Sequence, residues 1–441
     1  MERARERKSV PPRMLKYSSK IGIAAALLFA ASMWFYMQRV LITHQEAEAA
    51  THDIPRGNLS DLYPRWLGAR ELLLRHRDPY SPEITREIQI GYYGRALDSH
   101  RAYDPIDQQA FAYPVYVVFL LAPAVFLPFW MVQIGARWFL AVLTAATVLF
   151  ALRALRWRPS VAKIAIIVIL VMGSFQSIQG IKLQQLSLLV SGLLAASAML
   201  LVGGQFVVAG ILMALATIKP QLALPLTVAI LFWALHNWRL GRKFIFSFAA
   251  TMMALFIGSE AILPGWIGEF RAAVIDYRRY NNGAGSILDL LFGSAFGKLL
   301  TFAVIIAVAF ICGRARNVSN DDPIFGRTIA LILAATVAIT PKAAPYNQVL
   351  LIIPVLLIVQ CASQLWAGSF LSRSCFVIAT LLFSWPWLAA LAITVASLFL
   401  PAPELLKAWS LPIYTSLLIP LIVFVEVTFV CSKLNFSSRG W

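Results

Sequence analysis

Residues 20–42 have the sequence KIGIAAALLFAASMWFYMQRVLI, an almost unbroken run of apolar side chains. The run matches the roughly 20 residues that a helix needs to cross a hydrocarbon core about 30 Å thick. It is longer than the apolar core of a signal peptide and ends without a small-residue cleavage site. We therefore predict a retained first transmembrane helix, preceded by a basic cytoplasmic segment, residues 1–19.

The rest of the chain repeats this apolar pattern. Of its 441 residues, 59% are hydrophobic and 13% are charged, with a mean hydropathy of +0.73, whereas a soluble domain is about 45–50% apolar and about 25% charged. The sequence therefore predicts an all-α polytopic membrane protein with about twelve transmembrane helices. The predicted spans are 20–42, 112–131, 134–153, 163–178, 184–202, 205–235, 243–263, 292–312, 325–341, 347–365, 373–400 and 411–431.

We expect one transmembrane domain, residues 20–432, followed by a cytoplasmic tail, residues 433–441. The basic N-terminus and tail favour the cytoplasmic side for both ends. This orientation places the loop of about 43–111 outside. The run 205–235 contains Lys219-Pro220, which leaves two interpretations open: one broken helix, or a helix followed by a re-entrant piece. If that run crossed twice, the proline-rich segment 112–131 would be the first candidate to stop crossing.

The net charge of +17 has a simple explanation in a membrane protein, because basic loops face anionic lipid head groups. No nucleic-acid-binding motif accompanies the charge, so we expect no nucleic-acid partner. The histidine spacing fits no standard metal motif, and we expect neither a metal nor a cofactor. The four cysteines lack CxxC spacing and are interpreted as small apolar side chains. They are Cys312, Cys361, Cys375 and Cys431.

Residues 60–82 have the sequence SDLYPRWLGARELLLRHRDPYSP, in which charges and aromatic residues follow the first span directly. Apolar residues recur at helical spacing within 61–77 and predict an amphipathic helix in the interface plane. The DPYSP sequence predicts a turn, and a second helix is expected at about 83–97. The outer loop is thus predicted to form a platform of juxtamembrane helices.

Asp61 is the candidate catalytic residue of this platform. A carboxylate at the outer membrane surface can act as a general base, removing the proton of a hydroxyl that attacks an activated sugar. A phosphate leaving group would then need Arg or Lys donors. The same residue fits a helix N-cap equally well, and the two roles are compatible.

Four segments carry a resemblance to glycosyltransferase family 87. The order D-x-Y, A-R-x-L-L, D-P-Y and F-x-Y-P is similar to the first outer loop of that family. The residues that carry this first match are Asp61, Tyr63, Ala69, Asp78, Pro79, Tyr80, Phe111, Tyr113 and Pro114. The later matches are LQQLSLLV at 183–190, AGILMALATIKPQLALPL at 209–226 and ITPKAAPYNQVLL at 339–351.

This resemblance implies a fold of the GT-C type and a sugar donor carried on polyprenyl phosphate. It implies that Asp61 is the base and that a hexose such as mannose is transferred to a lipid or glycan acceptor. The reaction would take place on the periplasmic or extracellular side of the cytoplasmic (inner) membrane. In the 183–190 match, Gln184 stands where the family usually has Gly. The 339–351 match lacks the family's Trp and His, and three neighbouring residues are candidates to replace them: Lys342, Tyr346 and Asn347.

Other polar residues complete the candidate site. Lys219 lies in an apolar span, where a lysine costs roughly 2.5–3.5 kcal/mol, so it is expected to support the cavity or to contact the phosphate. Further phosphate candidates are Arg70, Arg278 and Arg279, which fit solvated loop cations equally well. Arg65 on the platform helix shares the ambiguity. The remaining substrate-binding candidates are Tyr63, Tyr80 and Gln185.

Two other function classes fit an apolar chain of this length. A transporter or lipid flippase usually shows two related halves with paired broken helices, whereas this sequence has no internal repeat and a single large early loop. A lipopolysaccharide-ligase-type enzyme would carry its large outer loop late in the chain.

Overall fold

The computed structural model describes residues 12–432, apart from 53, 99, 102, 106, 281–284 and 342. Across these residues the structure is entirely helical, and no strand occurs among them. The predicted all-α class is confirmed. The N-terminal residues 1–11 and the predicted tail 433–441 lie outside the described residues.

Twenty-one α-helices follow one another along the described part of the chain, several of them separated by a single turn. They are α1 Pro12–Tyr36, α2 Ile42–Thr51, α3 Tyr63–Arg75, α4 Pro82–Tyr93, α5 Val117–Leu121, α6 Phe129–Ala154, α7 Val161–Met172, α8 Phe175–Lys182, α9 Leu186–Val202, α10 Phe206–Ala216, α11 Pro220–His236, α12 Trp238–Ile262, α13 Trp266–Tyr280, α14 Ile287–Phe292, α15 Ser294–Arg314, α16 Pro323–Ile339, α17 Ile352–Gln360, α18 Ala362–Trp366, α19 Phe370–Ala396, α20 Ala402–Lys407 and α21 Ile419–Ser432.

The number of membrane crossings differs from the prediction. Among the described residues, five helices are long and apolar enough to cross a membrane, and the bent pair α7–α8, with a 57° break, raises the number to six. The count of about twelve is therefore not confirmed. Several of the predicted spans form helices of only 10–17 residues, and a helix of that length extends roughly 15–25 Å, short of the hydrocarbon core.

Two predicted spans are broken where the sequence contains proline. The run 205–235 forms α10 and α11, which are separated by three residues that end at Lys219, so the break at Lys219-Pro220 is confirmed. The run 112–131 contains only the five-residue α5, a short 3₁₀ turn and the start of α6. Both breaks follow from proline, which lacks a backbone N–H and cannot continue a helix that precedes it.

Several of the short helices form the interior of the bundle, and the long ones surround it. Helices α9 and α16 are buried along most of their length, whereas only 6% of the apolar stretch of α12 and of α15 is buried inside the protein. The exposed apolar faces of these two helices fit contact with lipid, because a soluble protein rarely leaves such a surface uncovered. A smaller apolar cluster joins α1 to α8 and α19.

The platform predicted after the first span exists, but it packs into the bundle instead of lying free on the interface. Seven of the thirteen residues of α3 are buried. Glu71, only 2% exposed, accepts hydrogen bonds from Arg75 at 2.9 Å and Arg77 at 2.8 Å, and Arg77 reaches Glu87 on α4 at 2.7 Å. The two platform helices are thus tied together by charge.

Gly91 on α4 allows this helix to pack closely against α3, because a methyl group at this position would overlap the ring of Tyr63. We expect Gly91→Ala to destabilise the protein by about 1–3 kcal/mol, the usual cost of overpacking. The control is Gly135→Ala on α6, where the added methyl meets nothing within 4 Å. Thermal unfolding in detergent measures both variants. An unchanged midpoint for Gly91→Ala would contradict this packing.

Candidate active site

Asp61 lies at the centre of a buried polar cluster, although it is only two residues before α3. Its backbone N–H donates to the carbonyl of Leu183 at 2.9 Å, which fixes the platform to the link between α8 and α9. Its side chain is 9% exposed and does not cap α3; Leu62 occupies the N-cap without a side-chain bond. The N-cap alternative for Asp61 is therefore wrong.

Three donors from three chain segments converge on the Asp61 carboxylate. The hydroxyl of Tyr92, at the end of α4, donates to Oδ1 at 3.1 Å, and Gln109 Nε2 donates to the same oxygen at 3.3 Å. Gln185 Nε2 donates to Oδ2. A carboxylate has about four acceptor positions, so one position remains for a proton from a substrate.

Lys219 lies behind Gln185 in the same cluster and is 6% exposed. Its ammonium donates to Gln185 Oε1 at 3.4 Å, to Ser187 Oγ and to Asn347 Oδ1 at 3.2 Å. It also lies 5.3 Å from the ring centre of Tyr346. The cluster thus connects the break between α10 and α11 with the start of α9 and with the turn that precedes α17.

Arg65 is the nearest cation on the platform side. It lies one helical turn after Asp61 and donates to the Asp61 carbonyl at 2.7 Å, while its guanidinium lies 4.2 Å from the ring centre of Tyr113. Its Nε is buried and has no hydrogen-bond partner among the described residues. A buried donor without an acceptor is unusual in a native protein.

The backbone around Asp61 is strained at three positions. Leu59, Gln109 and Gln184 adopt φ values of 50°, 49° and 50°, in the left-handed region that favours glycine. Leu59 lies two residues before Asp61, Gln109 contacts the Asp61 side chain, and Gln184 directly precedes its partner Gln185. The φ value of Gln184 accounts for the Gly that is usual at this motif position, because glycine adopts this conformation without steric cost. Such strain concentrates at functional sites.

Burial controls the protonation of the cluster on its outer side. Burial raises the pKa of Asp61 above its ordinary value, and the nearby Arg65 guanidinium opposes this shift. Burial also raises the pKa of Tyr92 well above its ordinary value, so the phenol keeps its proton and remains a donor. The arrangement holds a carboxylate that accepts a proton more readily than a free aspartate does.

The structure brings together four of the predicted site residues with Asp61, namely Gln185, Lys219, Tyr346 and Asn347. It places three others in packing positions. Tyr63 packs against Trp66 and Phe129, the Tyr80 hydroxyl donates to the Tyr113 carbonyl at 2.7 Å, and the Arg70 guanidinium lies 5.3 Å from the Trp66 ring.

Arg278 and Arg279 are exposed on α13, and Arg279 lies 3.8 Å from Asp276. Neither contacts the Asp61 cluster within the described part of the chain. Lys342 lies outside the described residues.

Sequence reasoning missed several members of the cluster. Tyr92 and Gln109 gave no signal, because they approach Asp61 only after the outer loop folds. Ser187 lies within the quoted LQQLSLLV segment and could have been included on that basis. Arg65 could have been preferred to Arg70, because it lies four residues after Asp61 and residues at that spacing share one face of a helix.

A cavity of about 430 Å³ opens between α4 and α13, and its wall includes Gln108, Ala110 and Phe111. Asp61 does not line it; Gln109, within the same segment, reaches Asp61 instead. Among the described residues, no group of three or more His, Cys, Asp and Glu side chains is arranged to hold a metal ion.

Comparison with known families identifies the family of the chain. The sequence model of glycosyltransferase family 87 matches residues 111–341, just over half of the chain. Neither a curated protein nor a solved structure matches the chain. The match includes Gln185, Ser187 and Lys219 and confirms the resemblance to the family, while Asp61 precedes the matched residues. The chain therefore belongs to glycosyltransferase family 87 and is a membrane glycosyltransferase.

Proposed function

We propose that this protein transfers a hexose, such as mannose, from a polyprenyl-phosphate carrier to a lipid or glycan acceptor on the outer face of the cytoplasmic membrane. Asp61 is the general base. The observation that carries the proposal is the buried Asp61 carboxylate with three donors, one open acceptor position and the Arg65 guanidinium beside it. A general base needs a free acceptor position for the proton that it removes.

The chemistry follows from these groups. An acceptor hydroxyl oxygen attacks the anomeric carbon of the donor sugar while Asp61 removes the hydroxyl proton. The bond between that carbon and the phosphate oxygen breaks, and its electron pair leaves with the polyprenyl phosphate. One in-line displacement forms the new glycosidic bond and inverts the anomeric centre. No covalent enzyme intermediate is required.

Arg65 is the residue best suited to hold the departing phosphate. Negative charge grows on the phosphate as the bond breaks, and a preorganised cation stabilises that charge. The unsatisfied Nε of Arg65 and the planar guanidinium suit a phosphate oxygen. Arg70, Arg278 and Arg279 remain candidates for contacts with the carrier farther out.

The test is glycosyl transfer by the purified protein in liposomes. Polyprenyl-phosphate mannose and polyprenyl-phosphate glucose, each labelled in the sugar, are supplied with lipid and glycan extracts from cells that lack the protein. We expect label to appear in a new lipid or glycan and polyprenyl phosphate to be released in equal amount. Mass spectrometry of the product identifies the acceptor.

Two outcomes would overturn the proposal. Movement of an intact donor across the liposome membrane without a new product would assign the protein to the transporters or flippases. Transfer from a soluble nucleotide sugar, with none from a polyprenyl-phosphate donor, would remove the carrier from the mechanism.

A further inference from the structure

We propose that Lys219 is a positioning residue, which fixes the side-chain amide of Gln185 so that its NH₂ group faces Asp61. This inference rests on the proposed function, since it concerns the same base. It gives Lys219 a role other than the direct phosphate contact that its sequence position also suggested. Lys219 acts on the reaction through Gln185 and does not touch the substrate.

The first step of the argument is the saturation of the Lys219 ammonium. A lysine has three N–H donors and no acceptor. It donates to three oxygen acceptors, Gln185 Oε1 at 3.4 Å, Ser187 Oγ, and Asn347 Oδ1 at 3.2 Å, and the Tyr113 side chain is a further hydrogen-bonding neighbour. Ser187 in turn donates to Asn347 Oδ1 at 2.7 Å. With every N–H directed at a protein oxygen, the ammonium has no donor left for a phosphate.

The second step is the orientation of the Gln185 amide. An amide has one acceptor end and one donor end, and the two ends have nearly the same shape. Because Lys219 can only donate, the carbonyl end must face Lys219. The NH₂ end must then face Asp61, as it does in the structure. Lys219 therefore holds the Gln185 amide in the one orientation that an ionised Asp61 can accept from.

The third step concerns the form of Asp61 that this orientation favours. A carboxylate only accepts hydrogen bonds, whereas a protonated carboxyl group must donate one. Because the Gln185 NH₂ group donates to Oδ2, this oxygen has a hydrogen-bond partner when Asp61 is ionised. A proton on Oδ2 would have no acceptor there and would face the N–H of Gln185. Without Lys219 the amide could rotate and present its carbonyl, which would stabilise the protonated form. Only the ionised form can act as a base.

Other groups also influence Asp61, and all of those named here except Lys219 are held constant in the test. The charged or titratable side chains around it belong to α3, α4, the 107–113 segment, the break before α11 and the turn before α17. They are Arg65, Tyr92, Asp107, Tyr113, Lys219 and Tyr346.

The experiment is a double-mutant cycle on transfer rate with Lys219→Met, Gln185→Leu and the combined variant. We expect each single variant to slow kcat about 10- to 100-fold, the effect of a misplaced reacting group. The combined variant should be no slower than Gln185→Leu, and the donor KM should stay unchanged throughout. Lys407→Met, which removes an exposed lysine paired with Glu404, is the control for loss of a lysine.

A second variant tests the coupling without removing Lys219. In Gln185→Glu the new carboxylate can accept from Lys219 but cannot donate to Asp61, and two neighbouring carboxylates hold one proton more firmly. We expect the acidic limb of the pH–rate profile to move to higher pH. If Gln185 had only a structural role, Gln185→Glu would lower the amount of folded protein and leave the acidic limb of the pH–rate profile unchanged.

The outcomes separate this inference from the proposed function. If the parent chain shows no transfer, the proposed function fails. If the parent is active, additive losses in the cycle together with a raised donor KM for Lys219→Met would show direct phosphate binding and overturn the inference. An unchanged pH profile in Gln185→Glu would overturn it as well.

Discussion

Replacing Asp61 with asparagine is expected to slow glycosyl transfer by about 10²–10⁴-fold, the usual contribution of a general base. The asparagine oxygen can still accept from Tyr92 and Gln109, so the outer loop keeps both of its bonds to this side chain. The acceptor hydroxyl, however, has lost the group that takes its proton. Transfer from labelled donor in liposomes measures the loss.

The same variant should remain folded. Losing the bond to Gln185 destabilises the cluster, while removing a buried charge stabilises it, and the two effects oppose each other. We expect the melting temperature to stay within about 4 °C of the parent, roughly the shift from one kcal/mol. The control is Asp98→Asn, which alters an exposed carboxylate and should leave transfer unchanged. Parental activity in Asp61→Asn would remove the proposed mechanism.

The pH dependence provides an independent check on Asp61. Because the pKa of this carboxyl is raised, the base becomes protonated and transfer declines at a pH above that expected for a free aspartate. Folding favours the protonated form, so this group's contribution to stability is lost as pH rises from the ordinary pKa through the raised one. Asp61→Asn should abolish that component of the pH dependence of unfolding.

Replacing Arg65 with methionine is expected to lower kcat by about 10²–10³-fold, the effect of removing one donor that stabilises developing charge. The donor KM should also rise if the guanidinium binds the phosphate before the bond breaks. Arg65→Lys should lose less, because it keeps the charge but not the planar pair of donors. Initial rates over a range of donor concentrations separate the two effects.

The control for Arg65 is a second arginine that packs over an aromatic ring. The Arg373 guanidinium lies 5.8 Å from the Trp366 ring and donates to the Trp366 carbonyl at 3.0 Å, so Arg373→Met removes a similar contact elsewhere. It should leave transfer intact. If Arg65→Met matched the parent while Arg70→Met lost activity, the phosphate role would pass to Arg70.

The helical class could be predicted from the sequence because long apolar runs leave few alternatives in lipid. The number of crossings could not be predicted, since a hydropathy window averages over short breaks. The run 205–235 is apolar as a whole, yet its backbone bends at Lys219-Pro220. The bend is a local steric effect of proline, whereas the hydropathy is a property of the complete run.

The candidate site was only partly predictable for a related reason. Asp61, Gln185 and Lys219 occur in recognisable motifs, so their chemistry could be inferred without coordinates. The contacts of Tyr92 and Gln109 depend on how the outer loop folds back, which no local pattern records. Tyr63 and Tyr80 also belong to the motif that contains Asp61. However, both rings pack against neighbouring aromatic rings, and the Tyr80 hydroxyl donates to the Tyr113 carbonyl.

The assembly of the cluster from distant segments also bears on how the protein matures. Asp61 precedes the family-matched region and Asn347 follows it, yet both complete the surroundings of Gln185 and Lys219. A nascent chain leaving the ribosome therefore carries its carboxylate into the membrane long before Asn347 is synthesised. A prematurely terminated product would retain most family motifs while leaving the lysine one acceptor short, so competence arises late in biogenesis.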